Sequence, residues 1–303
     1  MTLPLKVNIV EVGPRDGLQN EAEFIPTDKK IELINSLNQT GLKRMEAASF
    51  VHPLYVPQMK DARAVLQGIE HSPDVQYMAL VPNAKGYERA LENGVKAVSL
   101  VVGASDSFNR NNVKMSREES LRNFEAVVKD ARKNQIFIRY NIATSFWCPF
   151  EGRVEEKAVL EMVQEIDSQG VDEIVICDTI GRANPKQTAE LFSQITAIGP
   201  RAAITAHLHD TYGFALANIL AALKEGVTSF DTSIGGLGGC PFAPGAAGNA
   251  ATEDVVFMLH EMGIETGIDI DALKQTLEIV KPLTKRELTG RLHKVQACAA
   301  AAN

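Results

Sequence analysis

Short apolar stretches rich in β-branched residues alternate with longer amphipathic ones along most of the chain. The short runs are Val7 to Val12, Arg44 to Ala48, Val75 to Val81, Ala97 to Val102, Ile136 to Ala143, Glu173 to Cys177, Ala203 to Leu208 and Ser229 to Ser233. Between them lie segments with helix start and stop signals. Thr27-Asp28 opens one that closes at Gly41, and Ser116 with Glu119 has the spacing of a capping box. Gly41-Leu42, Gly94-Val95, Gly170-Val171 and Gly226-Val227 each read as a glycine just past a helix C-terminus, followed by re-entry into a strand. Eight strands alternating with helices imply a parallel sheet with right-handed crossovers, which is either an open doubly wound sheet or a closed barrel. Eight is the barrel number, so the predicted fold class is α/β, a (β/α)8 TIM barrel. From about Ile264 the repeat is lost, and Asp269 to Val280 reads as an added helix followed by a basic segment. With no Pro/Gly/Ser-rich linker in between, residues 1–303 are read as a single catalytic domain. A C-terminal helical extension over about 264–303 is expected to pack on the barrel.

The length of 303 residues is within the range of such a barrel, which typically takes about 250. Hydrophobic residues at 45% and charged residues at 23% exclude a disordered or fibrous chain. A formal charge of −7 without long single-sign runs argues against a nucleic-acid-binding face, so any anionic substrate must be met by local Arg and Lys. The four cysteines, Cys148, Cys177, Cys240 and Cys298, have no CxxC spacing, which fits a reducing compartment. A strand beginning near Lys6 leaves no room for a leader, and no apolar run has the roughly eighteen residues of a membrane span. The expected location is the cytoplasm, with no membrane and no nucleic-acid partner.

In a barrel of this kind, catalytic groups gather where the strands end. The seventh run ends in His207-Leu208-His209-Asp210, and alternate strand residues share a face. The two imidazoles are therefore neighbours, either as metal ligands or as a hydrogen-bonded structural pair. After the first run comes Gly13-Pro14-Arg15-Asp16-Gly17-Leu18-Gln19-Asn20-Glu21. It is either part of the catalytic rim or a surface turn in which Asp16 caps a helix and Arg15 is solvated. One carboxylate, two imidazoles and an amide oxygen from the last loop would suit Mg²⁺ or Mn²⁺, with Zn²⁺ left open. The eighth run is followed by Gly235-Gly236-Leu237-Gly238-Gly239-Cys240-Pro241-Phe242-Ala243-Pro244-Gly245, a glycine-rich lid with Cys240 at its middle. On a rim loop Cys240 is a candidate reactive thiol, whereas Cys177 reads as a buried structural one and Cys148 has no assigned role. Asn249 and Glu253 lie four apart at what reads as a helix start, hence on one face, with capping and a favourable helix dipole as the plain alternative. Glu46 and Asp178, each at a strand end, are either structural partners or catalytic acids. Lys285, Arg286 and Arg291 read as a solvated basic tail.

Together these segments resemble hydroxymethylglutaryl-CoA lyases, which belong to the metal-dependent TIM-barrel lyases along with isopropylmalate and homocitrate synthases. The resemblance runs over nearly the whole chain. It is carried by Arg15-Asp16-Gly17-Leu18-Gln19-Asn20-Glu21, by His207 and His209, and by Gly235 through Cys240 to Asn249 and Glu253. Arg-Asp-Gly and HxH are shared across the wider superfamily; Gly-Leu-Gly-Gly-Cys-Pro is more specific to the lyases. The resemblance implies a metal-assisted retro-Claisen cleavage of 3-hydroxy-3-methylglutaryl-CoA to acetyl-CoA and acetoacetate, as in leucine degradation and ketone body metabolism. It implies Mg²⁺ or Mn²⁺ on Asp16, His207, His209 and Asn249, with His207 also in the catalytic set. It further places Arg15 and Gln19 at the substrate, makes Cys240 the catalytic thiol, and gives Glu46, Asp178 and Glu253 as supporting acids. A CoA-thioester substrate and a homodimer are expected. Neither the mitochondrial leader of animal members nor a peroxisomal tripeptide is read from the chain. The alternatives are a related acyl-CoA condensing synthase, which usually carries a long C-terminal regulatory region, and a 4-hydroxy-2-oxo acid aldolase.

Overall fold

The structure, a computed structural model, describes residues 3–239 and 248–295. Its strands are β1 (Asn8–Glu11), β2 (Arg44–Ser49), β3 (Gln76–Leu80), β4 (Ala97–Gly103), β5 (Phe137–Ala143), β6 (Trp147–Cys148), β7 (Gly152–Arg153), β8 (Glu173–Asp178), β9 (Ala203–Leu208) and β10 (Ser229–Thr232). Eight of them close into a parallel barrel in the order β1-β10-β9-β8-β5-β4-β3-β2, while β6 and β7 form a short hairpin at its rim. Closure is made by β10 against β1, with Asn8 opposite Ser229 and Glu11 opposite Thr232. Every predicted run falls on a barrel strand, as a (β/α)8 barrel requires.

The helices return the chain to the next strand and cover the outside. Helix Thr27–Asn38 buries Leu33, Ile34 and Leu37 against the sheet. Helix Arg117–Lys133 opens on the capping box: Ser116 accepts from the Glu119 amide and Glu119 accepts from the Ser116 amide. Gly41, Gly94, Gly170 and Gly226 follow helices in the left-handed region, at φ of 88, 75, 77 and 93°. Beyond the barrel, Asp269 caps helix Ile270–Val280, which lies along Thr27–Asn38. Asp269 N–H donates to Thr40 O at 2.8 Å, and the Ser36 and Thr276 hydroxyls are 2.8 Å apart. Further on, the Asp254 carboxylate accepts from the amides of Arg291 and Leu292 at 2.6 and 2.8 Å. No helix among the described residues is long and apolar enough to cross a membrane.

The apolar core lies mainly between strands and helices, and the lumen holds only a small separate cluster of Val10, Val12, Met78 and Ala97 backed by Phe137. Charged and polar side chains also meet inside the barrel. Arg44 on β2 bonds Glu173 on β8, and Arg139 on β5 bonds Asp231 on β10. Neither pair of strands is adjacent in the barrel order, so both contacts span the interior. Buried charges persist only when paired and hydrogen-bonded, so this lumen departs from the usual apolar layers and connects to the chemistry at the mouth.

Candidate active site

β1 ends in a single wide helical turn, Gly13–Gly17, in which the Val12 carbonyl accepts from the amides of Asp16 at 2.7 Å and Gly17 at 3.3 Å. Such turns within helices are rare and often mark functional sites. Here it points Arg15 and Asp16 across the barrel mouth. A Cβ on Gly17 would come 2.8 Å from Leu237 Cβ, so only glycine lets this turn meet the segment after β10. Arg15 is 8% exposed, and its Nε donates to Glu46 Oε2 at 2.5 Å and its Nη1 to Asp16 Oδ1 at 2.7 Å. This excludes a solvated surface turn. Burial alone would lower the Arg15 pKa, but the carboxylates of Glu46 and Asp16 more than reverse that, and it is raised. For Asp16, burial pushes the other way and is outweighed by Arg15 and the two imidazoles, so its pKa falls to about 2.

His207 and His209 rise beside this turn from the end of β9, with their Nε2 atoms 3.0 Å apart. The Nδ1 of His207 lies 2.9 Å from Asp231 Oδ2. Asn249 reaches the same point through a backbone bridge to His209, and its Nδ2 donates to Asp16 Oδ2 at 2.7 Å and to Leu237 O at 3.0 Å. Donor atoms of Asp16, His207 and His209 all lie within 4.8 Å of one another. Asn249 Oδ1 and His209 Nδ1 are buried with no hydrogen-bond partner. Burial pushes the His209 pKa down to about 3, with His207 adding to the effect, so the imidazole is neutral and able to ligate. A carboxylate, two imidazoles and an orphaned amide oxygen fit a divalent cation. Asp16, His207 and His209 thus form a possible metal-binding site, with Asn249 hydrogen-bonded to Asp16 beside them.

The remaining candidates are distributed around this cage. Glu46, 1% exposed, holds Arg15. Asp178 ends β8 and accepts from the amides of Arg182 at 3.1 Å and Ala183 at 2.9 Å, and burial raises its pKa to about 6. Gln19 is partly buried, with Oε1 unpartnered. Cys240 lies outside the described residues, as does Cys298; Cys148 and Cys177 are buried, the latter as expected. Asn249 and Glu253 do not share a helical face. The helix begins only at Thr252, because Asn249 is drawn into its bridge with His209, whereas Glu253 turns to accept the Gly235 amide at 3.0 Å. Burial raises the Glu253 pKa to about 8. Arg286 is not a solvated tail residue: its Nε lies 3.0 Å from Glu21 Oε1 and it also bonds the Gly238 carbonyl. Glu11, Arg139, Glu173 and Asp231 were not anticipated. Their signal was a charged residue inside an otherwise apolar parallel strand.

Comparison with known proteins places this geometry in context. The chain matches the HMGL-like family over residues 6–280. A relative from Danio rerio, named 3-hydroxy-3-methylglutaryl-CoA lyase, cytoplasmic, is 48% identical over 290 residues, covering 96% of this chain and 87% of its own. A hydroxymethylglutaryl-CoA lyase of Bacillus subtilis is 44% identical over 293 residues, covering 95% and 98%. Among solved structures, an HMG-CoA lyase from Acinetobacter baumannii in complex with coenzyme A and 3-methylmalate superposes with a TM-score of 0.92 at 40% identity, covering 97% and 96%.

Proposed function

The chain belongs to the HMGL-like family, among its hydroxymethylglutaryl-CoA lyases, and from that premise we propose that the cage at the barrel mouth cleaves 3-hydroxy-3-methylglutaryl-CoA to acetyl-CoA and acetoacetate. The observation that carries this reading is the convergence of Asp16, His207 and His209 on one point, beside the unpartnered Asn249 oxygen and against Arg15.

Asp16, His207, His209 and Asn249 hold Mg²⁺ or Mn²⁺. A bound divalent cation supplies a Lewis-acid contact for the substrate oxygens. The protein's own groups do the rest. Asp178 has a carboxyl pKa raised towards neutrality by burial, which suits it to take the C3 hydroxyl proton. As that proton leaves, the C3 oxygen becomes a carbonyl, the C2–C3 bond breaks, and its electron pair passes into the thioester enolate. Arg15 is locked by Glu46 and Asp16 but retains N–H groups beyond those contacts, and donates them to the enolate oxygen as charge builds there. Gln19 hydrogen-bonds the substrate, and the Cys240 thiol protonates C2 to give acetyl-CoA. Glu46 and Glu253 act as supporting acids. Neutral bound imidazole and a fixed guanidinium need no reorganisation during the reaction, which is where such sites gain most of their advantage. The same reading assigns the chain to the cytoplasm and to a homodimer, the latter checked by sedimentation.

Steady-state turnover of the racemic thioester tests the reaction and the cage together. We expect acetyl-CoA release to be lost in EDTA and restored by Mg²⁺ or Mn²⁺. Undiminished turnover in metal-stripped protein would remove the metal from the reaction. Release of pyruvate from a 4-hydroxy-2-oxo acid, without thioester cleavage, would replace the lyase with an aldolase.

A further inference from the structure

His207 is held from below by groups that never reach the mouth of the barrel. Asp231 is its register partner on β10, and the carboxylate uses its two oxygens separately. Oδ2 lies 2.9 Å from His207 Nδ1, while Oδ1 accepts from Arg139, which spans the lumen from β5. The Nε of Arg139 lies 3.2 Å from Glu173 Oε2. Glu173 also receives the Arg44 guanidinium at 3.0 and 2.5 Å and the Thr205 hydroxyl. Arg139, Glu173 and Asp231 are at most 2% exposed. Two guanidiniums face two carboxylates, so the chain of contacts is balanced and each charged group has a partner.

Resting on the reading of the mouth as a metal site, we propose that Asp231, fixed by Arg139, is a positioning residue that sets the tautomer of His207 and thereby aims its Nε2 lone pair into the cage. The reason is donor bookkeeping. A carboxylate bonded to a guanidinium through one oxygen offers only an acceptor on the other, so the imidazole nitrogen facing it must carry the proton. In the neutral ring Nε2 of His207 is then the bare acceptor, 3.0 Å from Nε2 of His209. His209 has no comparable support, since its Nδ1 is buried without a partner. The two ligands are thus unequal: His207 is pinned in orientation and protonation through Asp231, whereas the His209 ring has its Nε2 contact with His207 and its backbone bridge to Asn249 but no carboxylate on Nδ1. Carboxylate partners of this kind fix ring orientation and raise ligand basicity, and losing one typically lowers metal affinity about 10- to 100-fold.

The test uses the full-length chain labelled with ¹⁵N-histidine, stripped with EDTA and held near pH 8, with the His207 signals assigned by their loss in His207→Gln. Long-range ¹H–¹⁵N correlations should show His207 protonated on Nδ1. A proton on Nε2 with Nδ1 bare overturns the proposal with no substitution at Asp231 required. In Mn²⁺ titrations followed by electron paramagnetic resonance, Asp231→Asn should bind about 10- to 100-fold more weakly than the unmodified chain. Its turnover should be low at limiting Mn²⁺ and recover as Mn²⁺ is raised, a rescue that a merely structural role would not produce. Affinity within about twofold of the unmodified chain, in a variant with unchanged circular dichroism, overturns the proposal. If Asp231→Asn does not fold, the tautomer of the unmodified protein decides. Absence of Mn²⁺ binding by the unmodified chain would remove the metal site itself, a failure separate from a wrong tautomer in a chain that binds Mn²⁺.

Discussion

Arg15 shows how one side chain serves both fold and chemistry. Its guanidinium neutralises Glu46 and Asp16, both within the mouth, so removing it leaves buried carboxylates without a counter-charge. Arg15→Met should therefore lose on the order of 10²- to 10³-fold in turnover, since one lost oxyanion contact costs about 3 kcal/mol or more, and should also be less stable. Arg15→Lys keeps the charge but not the planar fork, and should fall between. Turnover in both, normalised to the folded fraction from a denaturant curve, checks the order; near-normal rates in Arg15→Met would remove Arg15 from the reaction. Arg15 and the expected cage residues were legible because they sit at or just past strand ends in recognisable local motifs, where side chains meet the mouth. Arg139, Glu173 and Asp231 sit within strands, where a charge reads as an interruption of an apolar run. Their significance depends on partners on other strands, three away for Arg139 with Asp231 and four for Glu173 with Arg44, which no local pattern encodes.

At the scale of elements, the eight strands could be counted from sequence because each apolar run is bounded by a glycine turn or cap. The same glycines do unequal structural work. Gly41 has φ of 88°, and a Cβ there would lie 2.3 Å from the Gly267 carbonyl oxygen of the C-terminal segment. Gly94 has φ of 75° with nothing near its virtual Cβ. Gly94→Ala should thus cost only the left-handed backbone penalty, about 1 kcal/mol, whereas Gly41→Ala should cost about 2 kcal/mol or more, because a backbone oxygen must also move. Chemical denaturation of the two variants measures the difference, and equal losses would mean that the segment around Gly267 yields freely. The placement of Asn249 was less legible. A four-residue spacing before an amphipathic stretch looks helical, but a bridge to His209, forty residues earlier in the chain, delays the helix to Thr252.

The whole molecule carries buried acids whose burial cost has a definite pH signature. Burial raises Glu11 to about 7 and Glu253 to about 8 from 4.5, and Asp178 to about 6 from 3.8. Such a group keeps its proton in the folded chain after the unfolded chain has released it, so the unfolded state binds fewer protons and stability falls as pH rises from the unfolded to the folded value. His209, lowered to about 3 from 6.5, works in the opposite direction, but nearly all of its contribution is made by about pH 7. Asp16, lowered to about 2 from 3.8, has its full effect well below that. Between about pH 7 and 8 the largest surviving term is Glu253, whose carboxyl holds the turn Ile234–Gly236 through the Gly235 amide, with a smaller one from Glu11 that fades above its value of about 7. In EDTA-treated protein, unfolding free energy should therefore decline over this window by about 1 kcal/mol through Glu253, short of the roughly 1.4 kcal/mol per pH unit of a whole proton because the folded carboxyl is half ionised by about pH 8. Glu253→Gln can still accept from Gly235 but has no proton to lose, so most of the decline from pH 7 to 8 should disappear, leaving the smaller part that belongs to Glu11. A slope in Glu253→Gln equal to that of the unmodified chain would assign the titration to another group. Excess Mg²⁺, at 100 times its dissociation constant, should lift the curve by about 2.7 kcal/mol if it binds only the folded chain, without removing the Glu253 slope.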